Sequence, residues 1–412
     1  MTSEVKKWFR IALLNLSIVA FIGLLLRYKI AYSLPFLDQK FLLHGHSHFA
    51  FAGWITQALM TLMIAYLVSK GQAEAFKKYK SLLILNLFTA YGMVISFPIQ
   101  GYGFFSILFS TLSVFVSYGF AIVFWKDLNK ISEHSISKWW FKSALGLSAL
   151  SSIGPFSLSY MMATHNLHEK WYLASIYFFL HFQYNGWFFF ACMGLLMHKF
   201  DELGIKSTAL KRTFLYFLFA CVPAYFLSVL WLPLHLIIYI VVLVAAILQL
   251  VGWLILLNTI KPYRAILLSG MSRSGRVLLL FSGIALSIKL LLQIGSTHPQ
   301  LSQIAFGFRP IVIGYLHLVL LGMISLYIFG YAVVQKIISI GRTALVGLII
   351  FVSGVIFNEV ALIIKGVEAM EGESVDSIHY YLFAIAIMMF GGIFILVRSQ
   401  FLKMNPDSYR DE

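Results

Sequence analysis

Charge is scarce in this chain. Of its 412 residues only 11% are Asp, Glu, Lys or Arg, and just 16 are acidic. An ordinary soluble domain carries about 25% charged residues, so a soluble fold of this length is excluded. Cysteine is scarcer still. Cys192 and Cys221 are the only two, both lie in apolar runs, and neither has a metal-type spacing. Disulfide and zinc-thiolate roles give way to two small buried residues. No linker or low-complexity stretch interrupts the sequence, and the loops are short, which predicts one helical domain over residues 1–412. The first apolar run has no small-residue cleavage site behind it and closes on Arg27-Tyr-Lys, so it is expected to be a retained span rather than a signal peptide.

What is abundant is apolar and aromatic. The chain is 60% hydrophobic and 17% aromatic, with a mean hydropathy of +0.86. That is the composition of a polytopic membrane protein whose partner is the lipid bilayer. A span needs about 20 apolar residues. Twelve runs qualify, at 8–31, 42–68, 80–100, 103–125, 139–163, 171–197, 211–231, 234–257, 274–296, 305–335, 341–364 and 379–398. With both termini in the cytoplasm, all but seven of the 31 lysines and arginines fall on the cytoplasmic side, from Lys6, Lys7 and Arg10 through to Arg398, Lys403 and Arg410. Arg27, Lys29, Lys40, Lys170 and Lys365 lie opposite, Arg309 and Lys289 lie inside or close to spans, and the last outer loop, Glu368 to Asp376, is acidic. This is the positive-inside pattern. The net charge of +15 is therefore read as topology-setting charge, and no nucleic-acid partner is expected. The composition fits an integral protein of a bacterial inner membrane.

One pattern recurs. A histidine followed five residues later by glycine occurs inside three apolar runs: His48-Phe-Ala-Phe-Ala-Gly53-Trp54, His181-Phe-Gln-Tyr-Asn-Gly186-Trp187 and His317-Leu-Val-Leu-Leu-Gly322-Met323. The histidines are 133 and 136 residues apart, so the copies fall on spans 2, 6 and 10, one per block of four. Transporter repeats are halves of a bundle, and a four-helix period argues against that layout. All three histidines should sit in the outer half of the membrane and face a common interior. Histidine in hydrocarbon is costly and marks function, and it is the commonest side-chain ligand for metals and heme iron. In a regular α-helix the glycines stand about 140° round from each histidine, where they would admit a neighbouring helix or a flat macrocycle.

Span 2 opens His44-Gly-His46-Ser-His48. His44 and His48 share a helical face and His46 points roughly the other way. Such a pair could hold one metal, or one ring could ligate while the other bonds a propionate or lipid headgroup; a polar helix start at the interface is the alternative. His181 is flanked on its face by Tyr177 and Tyr184, as a ligand or as a core histidine bonded to a neighbouring helix. Lys289, Asn358, Glu359, Gln57 and Asn86 are further polar groups inside spans, with Lys289 and Glu359 as a possible ion pair. His235 lies near the outer end of span 7. His165, His168, His298, His379, His134 and His198 are expected on the solvated surface.

On these residues the chain resembles the catalytic subunit I of the heme-copper oxidase and nitric oxide reductase superfamily. The resemblance covers the whole chain in topology and short motifs in sequence; His44-Gly-His46-Ser-His48-Phe-Ala-Phe-Ala-Gly-Trp is similar in style to that family's heme-ligand helices. It implies an all-α membrane fold of twelve helices in three pseudo-symmetric groups of four. It implies a low-spin heme b gripped by a span 2 histidine (His44, His46 or His48, with His48 preferred) and by His317, with Arg309 and Lys289 available to face propionates. It implies copper or non-heme iron at His181 and His235, with Tyr184 beside them. The family's span 10 pattern is His-x-His; here it reads Tyr315-Leu-His317, and the His-His pair of span 7 is absent. NnrS-type heme membrane proteins are similar to Leu43–Phe51 more loosely.

The reading is thus a divergent member of this superfamily, engaged in electron transfer or oxygen or nitric oxide chemistry, with or without enzymatic turnover, and served by an electron donor or partner membrane subunit. No Cys-x-x-Cys-His for a covalent heme is present. The alternatives are a twelve-helix transporter with a proton or metal path through His44, His48, His181, Lys289 and Glu359, or a non-catalytic assembly subunit. The incomplete ligand set leads to the expectation that His181→Ala would cost little stability.

Overall fold

The structure is a computed structural model that describes residues 3–371 and 377–402, the side chains of 304–306 excepted. Lys403, Arg410 and Asp376 lie outside the described residues. Every regular element among the described residues is helical. Apolar runs of this length have no alternative in lipid, because only an α-helix satisfies its backbone within one segment.

The helices, in chain order, are α1 (Ser3–Tyr32), α2 (Gln39–Ser69), α3 (Ala75–Gln100), α4 (Phe104–Asn129), α5 (Ile136–Ser151), α6 (Ile153–Ala163), α7 (169–202), α8 (Thr208–Cys221), α9 (Leu236–Ser269), α10 (Arg273–Gly295), α11 (Pro299–Gly307), α12 (Arg309–Val334), α13 (Arg342–Glu371) and α14 (Ile378–Leu402). Among the described residues nine of these are long and apolar enough to cross a membrane, and ten if α8 and the 3₁₀ segment Pro223–Val229, bent by 48°, count as one span. The bend sits at Pro223, which cannot donate to the ladder. The run at 139–163 is helical but interrupted at Ser152, just before Gly154-Pro155. The run at 171–197 is helical but widened at Phe182–Phe188.

Two compact units result. One holds the described residues of Met1–Val116, Ser272–Leu278 and Ile328–Glu412; the other holds Ser117–Met271 and Leu279–Tyr327. In the first, α13 and α14 cross so closely that a Cβ on Gly347 would meet the Gly392 carbonyl at 2.7 Å, the small-residue contact typical of membrane helices. Asp38 caps α2 by accepting the Phe41 N–H at 2.8 Å. Gly101 ends α3 at φ +58°, with the Phe41 ring in the space a side chain would need. In the second unit, fully buried Trp140 of α5 is surrounded by Phe189 and Phe190 of α7 and Phe214 and Phe217 of α8. Ser135 and Ser207 cap α5 and α8.

Candidate functional site

Each of the three His-x4-Gly copies coincides with a π turn. The α-helical ladder widens at Ala50–Thr56 after His48, at Phe182–Phe188 after His181, and at Leu318–Ser325 after His317. A π turn closes i→i+5 bonds, is rare, and recurs at functional sites. Because each glycine sits inside the widened turn that follows its histidine, the 140° offset of a regular helix does not hold here. The glycines serve close packing. A Cβ on Gly186 would lie 2.8 Å from Leu147 Cβ, one on Gly322 3.3 Å from Ala285 Cβ, and one on Gly53 beneath the Phe49 ring.

A slipped ladder leaves carbonyls to be satisfied from outside the helix. Around the first π turn, Asn15 Nδ2 donates to Gly53 O at 2.6 Å, and Asn15 Oδ1 accepts from the Tyr91 hydroxyl. Asn86 Nδ2 donates to Ala52 O at 3.1 Å and to Gln57 Oε1 at 2.8 Å. Asn15, Gln57 and Asn86 are all completely buried. At the second, Cys221 Sγ reaches Asn185 O. At the third, Ser282 Oγ donates to Met323 O and Ser325 Oγ to Leu320 O, each at 2.7 Å. Asn15, Ser282 and Cys221 in this role escape a sequence reading; the only signal for Asn15 is a lone amide inside Leu13-Leu-Asn-Leu.

The histidines differ in setting. The His48 ring stacks on Phe97, with centroids 4.4 Å apart and planes 13° from parallel. His44, on the same face, meets Tyr102 edge-on at 4.7 Å, and its Nε2 is buried without a hydrogen-bond partner. His46 turns the other way and lies against α1, where a Cβ on Gly23 would stand 3.2 Å from its ring. His317 is half-buried, and its Nδ1–H donates to Ile313 O at 2.8 Å, which puts the ring's lone pair on Nε2. Arg309 is exposed in the first turn of α12. The α2 histidines belong to one unit and His317 to the other.

His181 is fully buried with both ring nitrogens engaged. Nε2–H donates to Cys221 O at 2.9 Å, so Nδ1 is the acceptor, and it receives Asn185 Nδ2 at 3.1 Å. Tyr184 is buried, hydrogen-bonds Ser228, and packs its ring edge-on to Tyr315 at 6.3 Å. His235 is exposed and precedes α9. No group of three or more His, Cys, Asp or Glu side chains among the described residues is arranged to hold a metal ion.

One surface histidine is corrected. His198 is 3% exposed, and its Nε2 lies 3.2 Å from Glu202. The i, i+4 spacing on α7 makes the pair. This contact comes first in pulling the Glu202 carboxyl down to about 2, with Lys199 assisting.

No protein-family model and no curated protein matches the chain.

Proposed function

We propose that the chain is a membrane heme protein built like the catalytic subunit I of the heme-copper oxidase and nitric oxide reductase superfamily, in which heme b is held between a histidine of α2 and His317. The observation that carries this reading is the threefold coincidence of an intramembrane histidine with a π turn. The donor set suits the group. Two neutral imidazoles from separate helices are the low-spin heme ligand set. The Ile313 carbonyl orients His317 as a backbone acceptor orients a metal-binding imidazole. On α2, the orphaned Nε2 favours His44 over His48, whose face is taken by Phe97. When bound, heme b would supply one-electron exchange, received from an electron donor or partner membrane subunit and used for electron transfer or for oxygen or nitric oxide chemistry. In this proposal the widened helix over 171–197 also crosses, and the helical runs at 139–163 and 211–231 cross as broken spans. That gives twelve spans in three groups of four, with both termini in the cytoplasm of a bacterial inner membrane.

The residues do not fit a second metal in the family's manner. Copper or non-heme iron at His181 would have to displace its bond to Cys221 O or to Asn185, and Tyr184 and His235 offer one buried phenol and one exposed ring. No step is derived through such a metal. The test is the visible spectrum of protein purified after heme-replete expression. A Soret band with low-spin features is expected, lost in His317→Ala and in His44→Ala. A protein with no Soret band, or an unchanged spectrum in His317→Ala, would sink the proposal. Oxygen or nitric oxide turnover with stoichiometric copper would show the second site to be complete.

A further inference from the structure

The second unit buries a lysine that no carboxylate among the described residues pairs with. Lys289 on α10 is 4% exposed, and its Nζ donates to Gln249 Oε1 of α9 at 3.4 Å. It does not stand alone on its helix. Ser282, Lys289 and Gln293 follow at steps of seven and four, which line them up on one side of α10, and Thr297 continues the line in the turn beyond Gly295. All four are buried. The centre of the buried face of α10 is therefore polar, inside an otherwise apolar packing.

Beside Lys289 is a small void of about 10 Å³, at the lower end of the space one water molecule needs. It is lined by Asn185, Cys221, Gln249, Lys289 and three phenylalanines. Asn185 is 5% exposed, and its Oδ1 is buried without a hydrogen-bond partner. Its Nδ2 is already held by His181. Gln293 Oε1, one turn along the stripe from Lys289, is a second buried acceptor with no partner. The void thus brings together the Lys289 amino group, an orphaned acceptor, and space for one water between them. The titratable groups that face Lys289 are His181 from α7 and Cys221 from α8; α9 contributes only Gln249. No carboxylate among the described residues pairs with it.

We propose that Lys289 is a proton-loading site: its amine takes up and releases a proton through a water held in this void by Asn185. Loading converts the amine to an ammonium, the water passing on a proton that originates in bulk solvent and keeping its own proton count; nothing is oxidised or reduced. Asn185 does not carry the proton. It positions the water through Oδ1 and holds the His181 ring through Nδ2. The physical reason for a lysine here is that an isolated ammonium in a low-dielectric interior is costly to hold, so a lysine kept without a carboxylate answers to proton supply rather than to a structural ion pair. The site stands independently of any heme.

The test uses the full-length protein with ¹⁵N-labelled lysine side chains, in lipid nanodiscs, followed by NMR. Ammonium and amine nitrogens have distinct shifts, and the Lys289 signal is assigned by its loss in Lys289→Met, or in Lys289→Arg should the first fail to fold. The signal is expected to pass between the two forms across a window from about pH 5 to about pH 11, which brackets the ordinary lysine value. In Asn185→Leu the midpoint is expected to move by at least about one pH unit, a tenfold change in proton affinity. A Lys289 signal that stays in one form throughout the window overturns the loading site. An unmoved midpoint in Asn185→Leu overturns the water-mediated arrangement.

Discussion

His181 has its two ring nitrogens committed to the Cys221 carbonyl and the Asn185 amide, in full burial. The sequence expectation that His181→Ala would be mild follows from treating it as a spare metal ligand. Its geometry argues otherwise: the substitution strands a buried carbonyl and an amide and opens a cavity. A loss of about 1–3 kcal/mol is expected from the unpaired groups alone, read as a lowered thermal midpoint in detergent, and an unchanged midpoint would show that the interior rearranges freely. Glu202 makes a second residue-scale prediction. His198, then Lys199, holds its folded carboxyl at about 2, below the ordinary value of about 4.3. A depressed carboxylate contributes stability that is fully present above the unfolded value and is lost as pH falls toward the folded one. The Glu202 side chain is 35% exposed, so solvent screens part of the effect. Melting wild type and Glu202→Gln at pH 6 and pH 3 should show the wild type more stable at pH 6 and its advantage cut by about half at pH 3, with full convergence only below the folded value.

At the scale of the element, the π turns are the distinctive feature, and each is held by side chains from neighbouring helices. Asn15→Leu keeps roughly the volume and removes the donor to Gly53 O, and Asn86→Leu does the same for Ala52 O. Each is expected to cost about 1–3 kcal/mol, the price of leaving a buried carbonyl unsatisfied. The glycines allow a ranking. Gly186→Ala drives a methyl to 2.8 Å from Leu147 Cβ, whereas Gly322→Ala stops at 3.3 Å from Ala285 Cβ. Overpacking costs about 1–3 kcal/mol where backbone must shift, so Gly186→Ala should lower the melting temperature more than Gly322→Ala. The reverse order would mean that α5 moves away from α7 more easily than their packing suggests.

The described residues of the whole molecule are helical throughout their regular elements, and nine or ten of those helices are long and apolar enough to cross a membrane. The proposed topology is tested by labelling. Both natural cysteines are buried, so single cysteines at exposed loop positions report sidedness cleanly. In intact cells a membrane-impermeant maleimide should label Asn166→Cys and spare Glu74→Cys until the membrane is opened. Labelling of Glu74→Cys from outside would invert the topology, and equal labelling of both would put an odd number of crossings wrong between α2 and α7.

The sequence by itself determined the helical membrane class, the approximate ends of most long helices and the threefold His-x4-Gly recurrence. Hydrophobic length and backbone satisfaction in lipid leave no other secondary structure, and both are local properties of the chain. It also pointed to Asn86, Gln57 and Lys289 as costly intramembrane groups. Only the tertiary structure decided that each histidine precedes a π turn, because a slipped ladder is stable only where a neighbour such as Asn15 or Ser282 satisfies the carbonyl it leaves over, and those partners are 38 and 41 residues distant in sequence. The same holds for the doubly bonded His181, the buried His198 and the void beside Lys289. Whether a polar group is a ligand, a core hydrogen-bond partner or a proton carrier depends on which atoms stand opposite it, and helix packing rather than periodicity brings them there.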